Sequence, residues 1–253
     1  MPRRRSNWPA RLILLVVLVT AAALGWREYQ RQLRDHPERF PWTPLSLDDP
    51  VGGFTGRKLA ALTGDAGRCA ALLAAARSGD LAVPARTAAA GQCGYADGFR
   101  LAPGGTGAIR FSPSGLVTAC PVAAALVIWE RDVVQPAARR HLGGMVTAID
   151  HAGSYSCRRL YGREEGQYSE HATADAIDVT GFRTSDGERV SVRRDWDWDG
   201  DRDAGKAAFL REVRDGACGL FATVLSPDYN AAHADHFHLD QAARGAMGWR
   251  GCR

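Results

Sequence analysis

Two short segments of the sequence concentrate side chains that bind metal ions. The first, Ser169 to Val179, reads SEHATADAIDV and separates His171 from Asp178 by seven residues. The second, His233 to Asp240, reads HADHFHLD and holds three of the chain's seven histidines. Neutral imidazole and carboxylate are good zinc ligands, and a catalytic zinc takes three protein ligands and leaves a fourth position open. The two segments predict a metal centre rather than an incidental polar loop.

Strand geometry indicates how these side chains cooperate. Ile177 and Val179 flank the aspartate of the first segment as they would in a strand. In an extended strand residues i and i+2 share a face, so His236 and His238 should project together. Asp235 should face the other way unless a bulge re-aims it. Zinc is the expected cofactor, although two histidines and one carboxylate also suit iron.

The first segment resembles a motif of a known peptidase family. The D-Ala-D-Ala dipeptidases and carboxypeptidases carry SxHxxGxAxD, which this chain matches at Ser169, His171, Ala176 and Asp178. Ala174 stands where the motif has glycine, a change that bears on the approach to the site.

The resemblance extends through the second segment and the rest of the domain. The HxH at His236 and His238 is similar to that of a wider group, which includes the lysostaphin-type enzymes and the penicillin-insensitive murein endopeptidase. The stretch from about Cys120 to Cys252, with the phrases GSYSCR and VRDGAC, closely resembles the extensin-like C-terminal domain of bacteria. The chain has no Ser-Pro repeats of plant extensins.

The resemblance implies metal ligands and leaves two candidates for the catalytic base. The implied ligands are His171, Asp178 and His238. Asp235 stands where the dipeptidases carry a catalytic glutamate, and His236 stands where the lysostaphin-type enzymes carry a catalytic histidine. Strand alternation favours His236, in which case Asp235 could orient a ligand histidine.

Three further residues receive roles from the same resemblance. Arg158, in GSYSCRRL, is similar to the arginine of the dipeptidases' SGYRS segment, which implies oxyanion stabilisation or binding of a substrate carboxylate. A plain surface arginine is the alternative. Ser169 would bind the substrate or only cap the turn before the first histidine, and His233 would line the cleft.

The implied function is a zinc-dependent peptidase that acts on peptidoglycan stem peptides or cross-links. It would be a carboxypeptidase or an endopeptidase, and metal-activated water would attack a peptide carbonyl. The alternative is a catalytically inactive metal-binding module for cell-wall binding or scaffolding, because three ligands stabilise a fold without turnover. The presence of both candidate bases, Asp235 and His236, favours the enzyme.

The N-terminus predicts export. Arginines at positions 3, 4, 5 and 11 precede the uncharged run Leu12 to Trp26. Basic residues in front of an apolar segment keep the N-terminus in the cytoplasm, so an uncleaved inner-membrane anchor with an extracytoplasmic, periplasmic domain is expected. A cleaved signal peptide, which would leave a secreted protein, is the alternative. A buried core helix is the less favoured third interpretation.

The net charge bears on the binding partners, and the composition along the chain indicates the domain organisation. The chain has 253 residues and a formal net charge of +4, which is too even to favour a nucleic-acid partner. The segments are residues 1–27 as anchor or signal, 28–56 as a proline-containing linker with Phe40 and Trp42 packing on the domain, and 57–253 as the domain. The oligomeric state is left open.

Six cysteines without a CxxC pair indicate three disulfides in an oxidising compartment. Fifteen pairings are possible. The expected set is Cys69–Cys93, Cys120–Cys157 and Cys218–Cys252.

The predicted fold class is α+β, an antiparallel sheet with flanking helices, zinc-peptidase-like and disulfide-stabilised. Apolar spacing predicts helices at Lys58–Arg77, Pro121–Ile149 (kinked or split at Pro136) and Ala204–Arg214. Strands are expected at Ala176–Thr180, Arg189–Val192, Phe221–Leu225 and His236–Leu239.

An acidic run, Asp195 to Asp203, begins like a calcium loop but has Lys206 where a bidentate glutamate belongs. A solvated acidic loop is therefore favoured over a calcium site. Trp196 and Trp198 within it are the two tryptophans that could contact a carbohydrate.

Overall fold

Helices and strands alternate irregularly along the chain. The computed structural model describes residues 8–76, 81–87, 92–102, 109–197, 204–242, 244 and 250–253. The α-helices are α1 (Trp8–Asp35), α2 (Thr55–Ala60), α3 (Ala66–Ala75), α4 (Cys120–Trp129), α5 (Gln135–His141), α6 (Val192–Asp195) and α7 (Ala204–Cys218). The strands are β1 (Leu81–Ala82), β2 (Arg86–Thr87), β3 (Gly94–Tyr95), β4 (Gly98–Arg100), β5 (Arg110–Ser112), β6 (Val117–Ala119), β7 (Val146–Gly153), β8 (Ala176–Thr184), β9 (Arg189–Ser191), β10 (Thr223–Leu225), β11 (Phe237–Asp240) and β12 (Gly251–Cys252).

A seven-stranded sheet carries the domain. Its order is β12-β10-β11-β8-β7-β5, and β9 pairs with β8. The pairs β10/β11, β11/β8, β7/β8 and β8/β9 are antiparallel, as predicted. The outer pairs β12/β10 and β5/β7 are parallel, so the sheet is mixed rather than purely antiparallel. The α+β class is confirmed, and all four predicted strands occur with ends shifted by a few residues.

The predicted helix Pro121–Ile149 is wrong in its last third. Helix α5 ends at His141, Gly143 adopts a left-handed φ of 70°, and β7 begins at Val146. The apolar residues of β7 recur at a spacing that also fits a helix, because this strand is covered on both faces and does not alternate strictly between apolar and polar residues. Two adjacent glycines, Gly143 and Gly144, are the stop signal that periodicity overlooks.

The split within this helix is confirmed. Pro136 lies in the first turn of α5, directly after a π-helical turn at Glu130–Val134. Val134 and Gln135 keep right-handed helical φ and ψ, so the chain stays helical up to Pro136, and the wider π-helical turn accommodates a residue that has no N–H to donate to the preceding turn. The predicted helix Lys58–Arg77 is likewise divided into α2 and α3, since Asp65 caps a new helix by accepting from the Arg68 amide at 3.1 Å.

Helix α4 forms the centre of the core. Every residue of α4 except Val127 is buried, which fits a helix that is apolar all round. Trp129 at its end donates from Nε1 to the Val213 carbonyl of α7 at 2.9 Å, and its ring packs against Phe182 and Phe221. The helix thereby joins the sheet to α7.

Three disulfides form, as predicted, but two of them join different cysteines from those expected. Cys218–Cys252 is confirmed, whereas the other bridges are Cys69–Cys120 and Cys93–Cys157, so two expected pairs are wrong. Helix α3 packs on α4, which brings Cys69 to the first residue of α4. Tertiary packing, which sequence spacing does not show, decides the partners.

Helix α1 has the properties of a membrane span. It is 28 residues long, apolar enough to cross a membrane, and buries none of its residues. A core helix is thereby excluded, while anchor and signal sequence both fit. The helix continues to Asp35, so the first residues of the expected linker are helical.

The rest of the expected linker, residues 36–54, is an arm that packs on the domain. Leu45 and Leu47 belong to the hydrophobic core. Arg131 donates to the backbone carbonyls of Leu47 and Asp49, which fastens the arm to the π-helical turn.

Phe40 and Trp42, which were expected to pack on the domain, contact each other at a ring distance of 5.5 Å. Phe40 also meets Tyr29 of α1 at 6.0 Å, and Trp42 is 65% exposed. These rings join the arm to the helix rather than to the domain.

Most of the calcium-like acidic run cannot be described, because residues 198–203, including Trp198, lie outside the described residues. Its first residues are structural. Asp195 accepts from the Ser191 amide at 2.6 Å, and Trp196 is buried with Nε1 donating to Asp228 at 2.9 Å.

The packed arm predicts a stability effect far from any chemistry. Leu47→Ala should lower the free energy of unfolding by about 2–4 kcal/mol, because it leaves a cavity in the core. Val51→Ala, at a 40% exposed residue of the same arm, should cost well under about 1 kcal/mol. Denaturant unfolding with the disulfides intact measures both, and equal effects would contradict a docked arm.

Candidate metal centre

Two neighbouring strands and one short turn bring the predicted ligands together. Asp178 on β8 lies directly opposite His238 on β11 in the antiparallel register, so their side chains share a face. His171 comes from a 3-10 turn, Glu170–Thr173, just before β8. All three side chains are buried. Among the described residues, this trio forms a group whose ligand atoms lie within 4.8 Å of one another.

The turn that carries His171 is held by hydrogen bonds on both sides. Ser169 Oγ accepts from the His171 amide at 3.4 Å, as an N-cap does. Ala174 ends the turn with φ 60° and ψ 15°. Its carbonyl accepts from the Ala119 amide at 2.9 Å and from Ser154 Oγ at 3.2 Å. Glycine adopts this left-handed conformation more readily than alanine does.

The three ligand atoms point at one another. His171 Nε2 lies 3.1 Å from Asp178 Oδ1 and 3.2 Å from His238 Nδ1. His238 Nδ1 lies 3.0 Å from the same oxygen. Two ring nitrogens and one carboxylate oxygen therefore converge on a single point.

The backbone fixes the tautomer of His171. Its Nδ1 lies 2.6 Å from the Ser154 carbonyl oxygen, which only accepts hydrogen bonds. Nδ1 must therefore carry the hydrogen, and in the neutral ring Nε2 has a free lone pair directed at Asp178.

A carboxylate fixes the tautomer of His238. Its Nε2 lies 3.3 Å from Asp240 Oδ2. Arg244 donates to the two Asp240 oxygens at 3.0 and 3.1 Å. Burial opposes ionisation of Asp240, but its bonds to His238 and Arg244 hold its pKa below the usual value, so it accepts from Nε2–H. The lone pair of the neutral ring then lies on Nδ1, inside the cluster.

The cluster of His171, Asp178 and His238 therefore favours a bound positive charge. Burial would raise the pKa of Asp178, but hydrogen bonds from His171 and His238 lower it well below its usual range. Burial would lower the pKa of His238, but Asp178 and Asp240 raise it to about 9. With both rings neutral, three lone pairs meet, and a divalent metal ion satisfies all three. The residues present fit a metal of the zinc type.

His236 lies beside the trio with its outer nitrogen bonded to Asp235. Nδ1 is 2.8 Å from Asp235 Oδ1, while Nε2 faces inward at 3.5 Å from Asp178 Oδ1. The hydrogen on Nδ1 therefore points at a carboxylate acceptor, and the Nε2 lone pair points into the site. Asp235 is largely exposed and contacts this histidine rather than a metal ligand.

A cavity of about 350 Å³ opens over these residues, and the other predicted site residues also line it. Arg158 lines it and is exposed, and its guanidinium has no hydrogen bond or ion pair within the described part of the chain. His233 lines it with Nδ1 2.8 Å from Asn230 Oδ1. Its pKa is lowered to about 4 by burial and by the neighbouring histidines. Ser169 also lines it, although its hydroxyl already caps the turn.

Sequence reasoning missed the residues that orient the ligands. Asp240 stands two residues after His238, so strand alternation could have placed both on one face. The carbonyl of Ser154 has no signature in the sequence, because any residue supplies a carbonyl. Arg244 lies in a segment without periodicity, which gives no sign of its role.

An acidic layer, which comprises Asp97, Glu170, Asp175 and Asp240, lies close to the candidate metal ligands. Asp175 is partly buried, and burial raises its pKa to about 7 with help from Asp97, Glu170 and Asp240, although a hydrogen bond from Thr173 opposes the shift. Burial also raises the pKa of Glu170. Burial and the neighbouring carboxylates thus both favour the protonated form of Asp175.

Comparison with known proteins identifies a family. The sequence model of the family described as extensin-like protein C-terminus matches residues 67–253, about three quarters of the chain. None of the curated proteins and none of the solved structures compared with the chain matches it.

The orienting role of Asp240 is testable through metal affinity. Asp240→Asn should weaken zinc binding about ten- to hundredfold, because an amide NH₂ or oxygen cannot hold the His238 tautomer as a carboxylate does. Competition with a chelating dye measures the affinity. Asp150→Asn is the matched control, because Asp150 is also buried and bonded to arginines but lies outside the site. Equal losses in both variants would contradict the assignment.

The acidic layer predicts a pH dependence of stability. Because the pKa of Asp175 is raised in the folded state, its contribution is most favourable at low pH and is lost as the pH rises from about 4 to about 7. Asp175→Asn should flatten this slope in metal-free protein and make the variant more stable than the parent at pH 8. Thermal unfolding across pH 4–8 measures it. Asp215→Asn, at a mostly exposed aspartate, should keep the parent's slope.

Proposed function

The chain belongs to the extensin-like protein C-terminus family, and we propose that it is a zinc-dependent peptidase acting on peptidoglycan peptides. One observation carries the proposal: two histidine tautomers, fixed from outside by Ser154 and Asp240, direct their lone pairs at Asp178 beside an open cavity. Ligand atoms arranged in this way have little structural use without a cation.

The residues that would hold the metal are His171, Asp178 and His238. A zinc ion bound there would supply Lewis acidity, which polarises a substrate carbonyl and makes water more acidic. The ligands are buried, but the cavity in front of them is open to solvent, so a substrate can reach them.

His236 is the proposed general base. Its Nε2 faces the cavity with a lone pair, and Asp235 accepts from Nδ1–H and keeps the ring in that orientation. A water molecule would attack the peptide carbonyl carbon and give a proton to Nε2. The same nitrogen would then return the proton to the leaving amine as the C–N bond breaks. Asp235 is thus a positioning residue, which reconciles the two candidate bases.

Arg158 and His233 are proposed to contact the substrate. The guanidinium of Arg158 faces the cavity and has no hydrogen bond or ion pair among the described residues, so it is available for a carboxylate or a developing oxyanion. The imidazole of His233 is held by Asn230 and remains neutral at physiological pH, because its pKa is about 4. A neutral donor or acceptor suits a peptide group.

Peptidoglycan is the proposed substrate because of where the domain would be. Helix α1 has the length and composition of a membrane anchor or signal, and three disulfides fit an oxidising compartment. Together these favour a periplasmic, inner-membrane-tethered enzyme. The resemblance to D-Ala-D-Ala peptidases points to the same polymer.

The proposal predicts different outcomes for the two adjacent residues. In the full-length chain in detergent, His236→Ala should reduce kcat for muropeptide cleavage by about 10²- to 10⁴-fold and leave one zinc per chain. Asp235→Asn should cost less, about ten- to hundredfold, and should shift the pH profile because the base loses its acceptor. Muropeptide digestion by chromatography and metal analysis on the same samples measure both.

The controls separate the enzyme from its alternative. His171→Ala should lose both zinc and activity. Zinc in the parent without cleavage of any muropeptide would favour a metal-stabilised binding module instead. Well-folded parent protein that takes up no metal would remove the basis of both functions.

A further inference from the structure

The row of residues that contains two metal ligands continues across the sheet to Arg253. Asp178 pairs with His238, and His238 pairs with Leu225 on β10. Arg253 then donates its amide to the Val224 carbonyl at 2.9 Å, and its carbonyl accepts from the Ser226 amide at 2.9 Å. This parallel pattern places Arg253 opposite Leu225, on the face that carries the metal ligands.

The cavity over the metal centre extends along this row. A second cavity, of about 820 Å³, is lined by Arg253, Tyr229 and Asp228. It shares Thr223, Leu225 and Arg244 with the first cavity. The two cavities therefore adjoin each other, and we call the second one the β10 groove.

One cation in the β10 groove is available to a ligand. Arg244 is engaged with Asp240, and Asp228 is engaged with Trp196 and Arg214. Arg253 is exposed, and its guanidinium has no hydrogen bond or ion pair among the residues that the structure describes. Ser226 Oγ and the Cys218–Cys252 disulfide fix the backbone on which it stands.

Across the two cavities, one arginine without a hydrogen bond or ion pair among the described residues lies on each side of the candidate metal ligands. Arg158 belongs to the loop that follows β7, whereas Arg253 lies beyond β10, and β8 and β11 with the ligands lie between them. Strands are about 4.8 Å apart, so Arg253 Cα lies about 10 Å from His238, roughly three residues of extended peptide.

We propose that the β10 groove is a second subsite, which binds a carboxylate-bearing arm of the substrate through Arg253. The inference rests on the proposed function and makes it more specific. The substrate chain continues on both sides of the cleaved bond, so the enzyme is an endopeptidase for a cross-linked, anionic peptide rather than a carboxypeptidase. A carboxypeptidase substrate ends one residue past the cleaved bond, whereas the β10 groove has room for more of the chain.

Equilibrium binding tests the subsite without turnover. The protein is the full-length, zinc-loaded His236→Ala chain in detergent, with any affinity tag at the N-terminus. The probes are a cross-linked muropeptide dimer, the same dimer with its carboxyl groups amidated, and the monomeric stem peptide. Calorimetry or fluorescence anisotropy compares the Arg253→Gln variant with the unaltered arginine, and Arg193→Gln is the control, because Arg193 is exposed and lines neither cavity.

Arg253→Gln should weaken binding of the free dimer about three- to tenfold, as expected for one exposed charge-assisted contact. The ratio of the Kd for the amidated dimer to the Kd for the free dimer should be smaller in this variant than in the protein that keeps Arg253. Arg193→Gln should change neither Kd. The monomer should bind more weakly than the dimer.

Equal binding of dimer and monomer, no effect of Arg253→Gln, or no binding of any probe would overturn the subsite. The proposed function fails in a different way. If the chain with His236 intact cleaves no muropeptide while the Arg253-dependent binding persists, the groove is a binding site and the catalysis is wrong. If cleavage occurs independently of Arg253, the catalysis stands and the subsite is wrong.

Discussion

Two imidazoles and one carboxylate that meet at one buried point are the constraint on which the rest of this structure depends. The Ser154 carbonyl takes the hydrogen of His171 Nδ1, and Asp240 takes the hydrogen of His238 Nε2. Each outer bond forces a lone pair inward, where Asp178 adds a third. No rotation of one side chain relieves this arrangement, because each ring is held at its far side. Only a proton or a metal ion removes the repulsion, and a metal satisfies all three groups together.

Much of the fold serves to hold these few atoms in place. The β8/β11 register sets Asp178 opposite His238, and the left-handed Ala174 returns the chain so that His171 reaches both. Ser154 supports that turn twice, through its hydroxyl to Ala174 and through its carbonyl to His171. Ser154 follows β7 directly, so the position of one imidazole depends on the end of a central strand.

Sequence spacing assigned His171, Asp178 and His238 to one candidate site, and the structure brings these three side chains together. His171 and Asp178 flank a single turn and strand start, and alternation correctly brought His236 and His238 to one cavity. Sequence reasoning failed where distant packing decides. The partner of Cys69 depends on how α3 lies on α4, and β7 resembles a helix because it is covered on both faces. The arm was read as a linker, although Leu45 and Leu47 enter the core, since two leucines among prolines carry no periodic signal.

The same site must weaken the fold that carries it. Asp178, Asp240 and Asp175 are withdrawn from water near one another, and Ala174 adopts a conformation that costs an L-residue about 1–2 kcal/mol. Stabilising features away from the site offset these costs. They are the wholly apolar α4, the docked arm, and three disulfides that restrict the unfolded chain. Cys93–Cys157 and Cys218–Cys252 are placed where this matters most. The first holds the loop that presents Arg158, and the second holds β12 beneath Arg253. These two disulfides therefore lie next to Arg158 and Arg253, and the buried carboxylates lie on the strands between them.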